Sequence, residues 1–485
     1  MIFNSITFAV FFLIVVPVYY LLPKKFTWMW LVAASSLFYM YFVPAYILIL
    51  LVTIIIDYFA GIWIEKSEGQ RRKNFLILSL IGNVGILFFF KYFNFAMGNA
   101  QLIAQLIGWN YTMPALEILL PIGLSFHTFQ AMSYTIEVYC GNQKAERHFG
   151  IYALYVLFFP QLVAGPIERP QNLLHQFHEP HTLKAANVLE GLKLMLYGLL
   201  LKVVIADRLA VFVDLIYGKP ESYDGPLLLL ATIAFAFQLL GDFGGYSLIA
   251  IGSARTMGIH LMKNFDRPYH ATSIADFWRR WHISLSTWLK DYVYDSLLMT
   301  EKSITRTRIA AALLCTFFIS GLWHGANWTY VIFGTLNGIY LVVSLFTRQI
   351  RQDIVDYLGL EKFPILLNAY RRLITFLLVC VSYIFFRSSS VQQAWYILTH
   401  LFQGWGKPFV HPEIYITNFS YSQLLILMVI LIGFELFEST EEYFPNKLRF
   451  EQKKAWVRWP VYAGLAWMIL NLGTPIEIPF IYFQF

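Results

Sequence analysis

The sequence predicts an all-α fold: a polytopic integral membrane protein built as a helical bundle. Three observations carry that prediction. Of 485 residues, 58% are hydrophobic and only 13% charged, whereas a soluble globular chain is about a quarter charged. The mean hydropathy is +0.57, too high for a surface clothed by water. Finally, the apolar runs are long. A bilayer core of about 30 Å needs roughly 20 helical residues at about 1.5 Å each.

In chain order, the candidate runs are 1–22, 28–43, 45–64, 75–90, 152–164, 188–205, 227–240, 309–323, 331–346, 373–386, 424–437 and 461–472. Several are short or interrupted, so about eleven to thirteen membrane segments are expected, some of them broken or re-entrant. Barrel strands would alternate polar and apolar residues, and these runs do not. Run 1–22 lacks a basic leader and an A-x-A-like cleavage site, so it is read as a retained helix rather than a signal peptide. Lys24 and Lys25 follow the first helix and Arg71, Arg72 and Lys73 the third, which puts both loops in the cytoplasm. The 447–458 stretch, with Lys447, Arg449, Lys453, Lys454 and Arg458, is expected on the same side. An 18% aromatic content suits interfacial belts and buried cavities.

The net charge of +7 fits this bias and an anionic leaflet. Its basic residues form no dense patch or nucleic-acid motif, so the expected partner is the lipid bilayer and not a nucleic acid. Cys140, Cys315 and Cys380 lie far apart in or beside apolar runs, and imply neither a disulfide framework nor a CxxC metal site. With no long polar linker, the chain reads as one domain over 1–485: N-terminal helices in 1–110, a core in 117–347, and C-terminal helices in 370–485. The core carries Gly, Pro, His, Arg and Asp at membrane-like depth. Broken polar backbone is tolerated there only when protein buries it or a cavity needs it. Function is expected in that core.

Two stretches stand out. Residues 276–295, DFWRRWHISLSTWLKDYVYD, pack Arg279, Arg280, Trp278, Trp281, Trp288 and His282 into one amphipathic segment. An interfacial helix anchored by its arginines and tryptophans is one reading. A grip on a phosphate- or carboxylate-bearing donor is the other. Residues 317–328, FFISGLWHGANW, place His324 at the end of an apolar run, between Gly321 and Gly325 and beside Trp323 and Asn327. A neutral imidazole there suits a general base for an alcohol; a core histidine satisfied by a carbonyl is the bland alternative. Arg279, Arg280, Trp281, Trp323 and Asn327 are the candidate substrate-binding residues.

A metal is not expected. His282 and His324 are too far apart in sequence for a ligand pair, and His175, His178 and His181 sit in a polar loop short of further ligands. There is no GxSxG, Walker or HExxH motif. Asp57, Lys91, Glu137, Asp242 and Arg387 also interrupt apolar stretches, and structural ion pairing is the default account of most.

Residues 120–139 (LPIGLSFHTFQAMSYTIEVY), 158–170 (FFPQLVAGPIERP), 264–294 (from NFDRPYH through WRRWH to YVY), 321–338 (GLWHGANWTYVIFGTLNG) and 480–485 (FIYFQF) together resemble the membrane-bound O-acyltransferases, and most closely their bacterial alginate O-acetylase branch. The resemblance implies a bundle with central cavities open to both faces and His324 as the catalytic residue, with His282 supporting it at the reaction centre. It also implies an acetyl group taken from a cytoplasmic thioester, acetyl-CoA or an acyl-carrier thioester, with no bound cofactor. The expected acceptor is an exported polysaccharide, reached through a periplasmic or extracellular SGNH-type partner, and the expected location is the bacterial cytoplasmic (inner) membrane. Gly244, Leu248, His127 and Cys140 depart from that branch's pattern, all outside the two histidine motifs. Transfer to peptidoglycan or of D-alanine to teichoic acid keeps the fold with another acceptor. A transporter or flippase would share the broken core, and a secretion scaffold would leave both histidines dispensable.

Overall fold

Helices begin where the sequence supplies caps. Ser5 accepts the Phe8 N–H at 3.1 Å, Ser273 that of Asp276 at 3.1 Å, Thr305 that of Arg308 at 3.3 Å and Ser390 that of Gln393 at 3.1 Å. Each satisfies one of the donors that a helix start leaves open. The computed structural model describes residues 1–109, 114, 116, 121–163, 165–299, 304–406, 421–443, 453–473 and 478–483. Helices occur throughout, with no strand among the described residues. Lys447 and Arg449 of the expected cytoplasmic loop lie outside the described residues, as do Leu120, Ala164, Gln484 and Phe485 of the motifs.

Six described helices are long and apolar enough to cross a bilayer: Pro44–Lys66, Gly69–Leu106, Gly225–Thr256, Arg306–His324, Trp328–Phe346 and Pro364–Arg387. Ile6–Leu21 is apolar but shorter. Other apolar runs are broken, as their composition suggested. Run 152–164 divides into Phe149–Leu157 and Phe159–Leu162, with Pro160 in the first turn of the second. Run 188–205 passes from α-helix to a π-helical stretch at Leu200–Ala206. Leu13, Ile81, Leu106 and Ile365 are exposed on helix surfaces, the arrangement that lipid rather than water favours.

The described residues form two compact units, 1–195 with 246–262 and 482–485, and 196–245 with 263–481. In the first, Phe3, Phe8, Phe11, Phe38 and Phe159 pack into an aromatic core. Asp57 is fully buried in an otherwise apolar stretch of the Pro44–Lys66 helix, and accepts from Ser79 Oγ at 2.6 Å and Asn83 Nδ2 at 2.8 and 2.9 Å. Ser79 also donates to Thr135 Oγ1 at 3.0 Å. Three helices are thereby joined by a polar knot, since a buried carboxylate is stable only when its oxygens are hydrogen-bonded.

In the second unit the close pairing of Arg306–His324 with Trp328–Phe346 depends on glycine. A Cβ at Gly321 would collide with the Tyr330 carbonyl oxygen, and one at Gly334 with that of Phe317. Small residues let helix backbones meet at this distance, as at close crossings in membranes. Trp278 donates Nε1–H to Asn337 Oδ1 at 3.2 Å, which fastens the Ile274–Arg280 helix to this pair.

Candidate active site

The Arg306–His324 helix stops at His324 because Gly325 is extended and Asn327 starts the next helix, accepting the Thr329 N–H at 3.0 Å. His324 is thus a last-turn residue, 3% exposed, at the glycine-mediated crossing. Asn327, expected as a substrate contact, is placed as a helix cap whose amide also donates to the Ser389 carbonyl at 3.4 Å.

His282 is 0% exposed and occupies the break between Ile274–Arg280 and Ile283–Leu289. Its backbone is left-handed, φ 43° and ψ 55°, which costs an L-residue about 1–2 kcal/mol. The 264–266 segment holds it there. Ile283 N–H donates to the Asn264 carbonyl at 2.9 Å, and Asp266 N–H to the Arg280 carbonyl at 2.9 Å. Asn264 Oδ1 accepts from Ser284 Oγ at 2.9 Å. Strain held in this way by surrounding bonds is typical of functional positions.

An aromatic series joins the two histidines. His282 lies 5.6 Å from Trp323 between ring centroids, and Trp323 lies 5.1 Å from His324. Phe243 packs edge-on to His282 at 4.7 Å. Phe333 and Phe386 pack edge-on to His324 at 5.5 and 5.3 Å. Burial, and then the nearby His324, push the His282 imidazole well below the usual histidine range, in the direction of the neutral form. A neutral imidazole can donate from one nitrogen and accept at the other. Apolar rings around such groups strengthen any charge that develops between them.

The remaining candidates are placed elsewhere in this unit. Trp281 is buried among Phe265, Phe277 and Tyr383 and packs the core. The Arg279 side chain is 75% exposed and pairs with Asp276 at 3.2 Å. Arg280 binds Glu442 through both terminal nitrogens, at 3.2 and 3.0 Å, and Asp276 at 3.3 Å. So His282, Trp323 and His324 come together, while Arg279, Arg280, Trp281 and Asn327 already have protein partners. Phe243, Phe333, Phe386 and Asn264 complete the surroundings. Their apolar side chains give the three phenylalanines no polar signal in the sequence; Asn264 and Phe333 lie within the quoted motifs 264–294 and 321–338.

Residues 143–388, which include both histidines and the rings around them, match the family described as MBOAT, membrane-bound O-acyltransferase. The chain belongs to the membrane-bound O-acyltransferase family. It is an O-acyltransferase, a multi-pass membrane enzyme. Within the family it is 36% identical to the probable alginate O-acetylase of Pseudomonas aeruginosa, over 83% of this chain and 75% of that protein. It is 35% identical to the peptidoglycan O-acetyltransferase of Helicobacter pylori, over 78% and 73%. It is 32% identical to the teichoic acid D-alanyltransferase of Streptococcus thermophilus, over 46% and 56%. Among the described residues, no group of three or more His, Cys, Asp or Glu side chains is arranged to hold a metal ion.

Proposed function

We propose that this enzyme O-acetylates an exported cell-surface polysaccharide, alginate-like or peptidoglycan, with the acetyl group supplied by a cytoplasmic thioester. The observation that supports this most is the pair of buried histidines bridged by Trp323, in a chain similar over most of its length to two named O-acetylating enzymes. The acceptor hydroxyl attacks the thioester carbonyl, and His324 takes the hydroxyl proton as the C–O bond forms. Neutral His282 donates a hydrogen bond to the developing oxyanion. Collapse of the tetrahedral intermediate breaks the C–S bond, and the departing thiolate recovers the proton from His324. The aromatic surroundings keep bulk water, a competing nucleophile, away.

In this reading the donor is acetyl-CoA or an acyl-carrier thioester and no cofactor is needed. The enzyme sits in the bacterial inner membrane, and an SGNH-type partner on the far side completes delivery. D-alanyl transfer to teichoic acid is less favoured, because similarity to that enzyme covers under half of the chain. The test is the acetyl content of the surface glycan in a deletion strain complemented with wild type, His324→Ala or His282→Ala at matched membrane levels. His324→Ala is expected to restore none and His282→Ala little. Full acetylation with His324→Ala would overturn the catalytic assignment and favour transport or scaffolding by this chain.

A further inference from the structure

Three ionisable side chains are buried together, one of them on Asp242, the residue before Phe243. Lys202, 1% exposed, reaches Asp207 at 2.6 Å and Asp242 at 2.7 Å. Two carboxylates and one ammonium in an apolar interior are costly to desolvate, and such groups persist where their geometry serves a purpose. Here the cluster leans on residues from the end of the chain. Lys202 Nζ donates to the Ile478 carbonyl at 3.1 Å. Asp242 Oδ2 accepts the Ile481 N–H at 2.7 Å. Arg208 donates to the Leu472 carbonyl just before this segment.

Both attachment points lie on π-helical stretches, Leu200–Ala206 and Leu240–Gly244, which pack together so tightly that a Cβ on Gly241 would approach the Leu201 carbonyl to 2.9 Å. π-helical turns are rare and recur at functional sites. Between the two tethered residues lies Phe480, fully buried, with its ring 5.7 Å from Phe243. Phe243 is the next residue after Asp242, and its ring stands 4.7 Å from His282.

We propose that Lys202, Asp207 and Asp242 are positioning residues: they seat Ile478–Ile481 so that Phe480 backs Phe243, and Phe243 in turn fixes the His282 imidazole for acyl transfer. The inference rests on the roles proposed for His282 and His324. Hydrogen bonds to both a carbonyl and an N–H of one short segment set its register as well as its presence. The edge-on Phe243 ring limits rotation of an imidazole that already sits on a constrained backbone.

The test uses the full-length enzyme purified in detergent, with Lys202→Met, Lys202→Arg, Asp242→Leu and Phe480→Ala, and acetyl-CoA as the donor probe. Each variant is normalised to folded protein. For Lys202→Met, Asp242→Leu and Phe480→Ala, kcat falls about 10- to 100-fold while KM for the donor stays within about twofold, as expected for misplacement of a catalytic group. Lys202→Arg, which keeps the charge and donors, recovers most of the rate. In parallel, a cysteine at buried Ile481, in a chain with Cys140, Cys315 and Cys380 replaced by serine, reports release of the segment to N-ethylmaleimide. Labelling is about tenfold faster with Lys202→Met than without it, if the segment opens locally rather than by global unfolding. Phe480→Ala leaves every buried charge paired, so it remains decisive if the charge variants do not fold. A full kcat in Phe480→Ala, or unchanged labelling in Lys202→Met, overturns the clamp. Failure of the parent enzyme to transfer acetyl at all would instead count against the proposed function, and the labelling result would still stand.

Discussion

Glu442 holds Arg280 through a bidentate pair, 3.2 and 3.0 Å, and takes a further bond from Arg267 at 3.2 Å. Planar two-point pairing of this kind is the strongest form of a carboxylate–guanidinium contact. It fastens the Tyr421–Tyr443 helix to the segment that carries His282. Burial works against ionisation of Glu442, but the hydrogen bonds and charge of Arg280, followed by Arg267, outweigh it and hold the carboxyl below its ordinary value.

A carboxyl depressed in the folded state contributes stability above its unfolded value, about 4.3, and loses it as pH falls through the folded value. Glu442→Gln is therefore expected to lower thermal stability at pH 7 by about 1 kcal/mol or less, given its partial exposure. The difference from wild type should shrink to nothing in acid. Melting curves in detergent at pH 7 and at pH values stepped down below 4 read this directly, and a gap that widens on acidification would contradict the pairing.

Asn327 gives a second prediction. As the cap of Trp328–Phe346, its loss in Asn327→Ala should cost about 1 kcal/mol, and Asn327→Asp or Asn327→Ser should restore it. A substrate-binding role predicts instead a raised KM with unchanged melting. Measuring both on the same preparations separates the two.

Glu442 and Asn327 mark where the sequence stopped being legible. The helical membrane class could be read from charge deficit and run length, and His324 from its cost in an apolar setting. GLWHG and RRWH then singled out His324 and His282, whose ring centroids lie 5.1 and 5.6 Å from that of Trp323. What remained hidden was set by partners far away in sequence. Arg280 reads as an anion grip in sequence, and its partner in the fold, Glu442, lies 162 residues on. Asn327 reads as a contact residue in sequence, and in the fold its side chain turns back onto the Thr329 N–H. Lys202 and Asp242, far apart in sequence, reveal no pairing along the chain; the π-helical turns that align them have no sequence period of their own.

The Asp57 knot predicts a defect in stability without one in chemistry. Asp57→Ala removes the carboxylate acceptor from the Asn83 amide, which keeps its bond to the Ser79 carbonyl at 3.0 Å, and from Ser79 Oγ, at about 1–3 kcal/mol for the buried donor left unpaired. Asp57→Asn keeps an acceptor for Ser79 Oγ and should cost less. Folded yield after detergent extraction should fall in that order, while kcat per folded molecule stays near wild type. A large kcat loss in Asp57→Asn at full yield would mean the knot does more than join three helices.

The backbone at His282 separates what its imidazole does from what its conformation requires. Left-handed φ and ψ are tolerated by asparagine more readily than by any β-branched residue. His282→Asn should therefore fold nearly as well as wild type and yet transfer little acetyl, because it lacks the imidazole facing Trp323. His282→Val should lose both, with a further folding cost of about 1–2 kcal/mol from the strained backbone. The comparison needs melting temperature and donor turnover for each variant in the same detergent. Equal stability of the two variants would show that the turn at 282 relaxes when the imidazole is gone. Retained turnover in His282→Asn would remove the imidazole from the reaction and leave His324 to act with backbone donors alone.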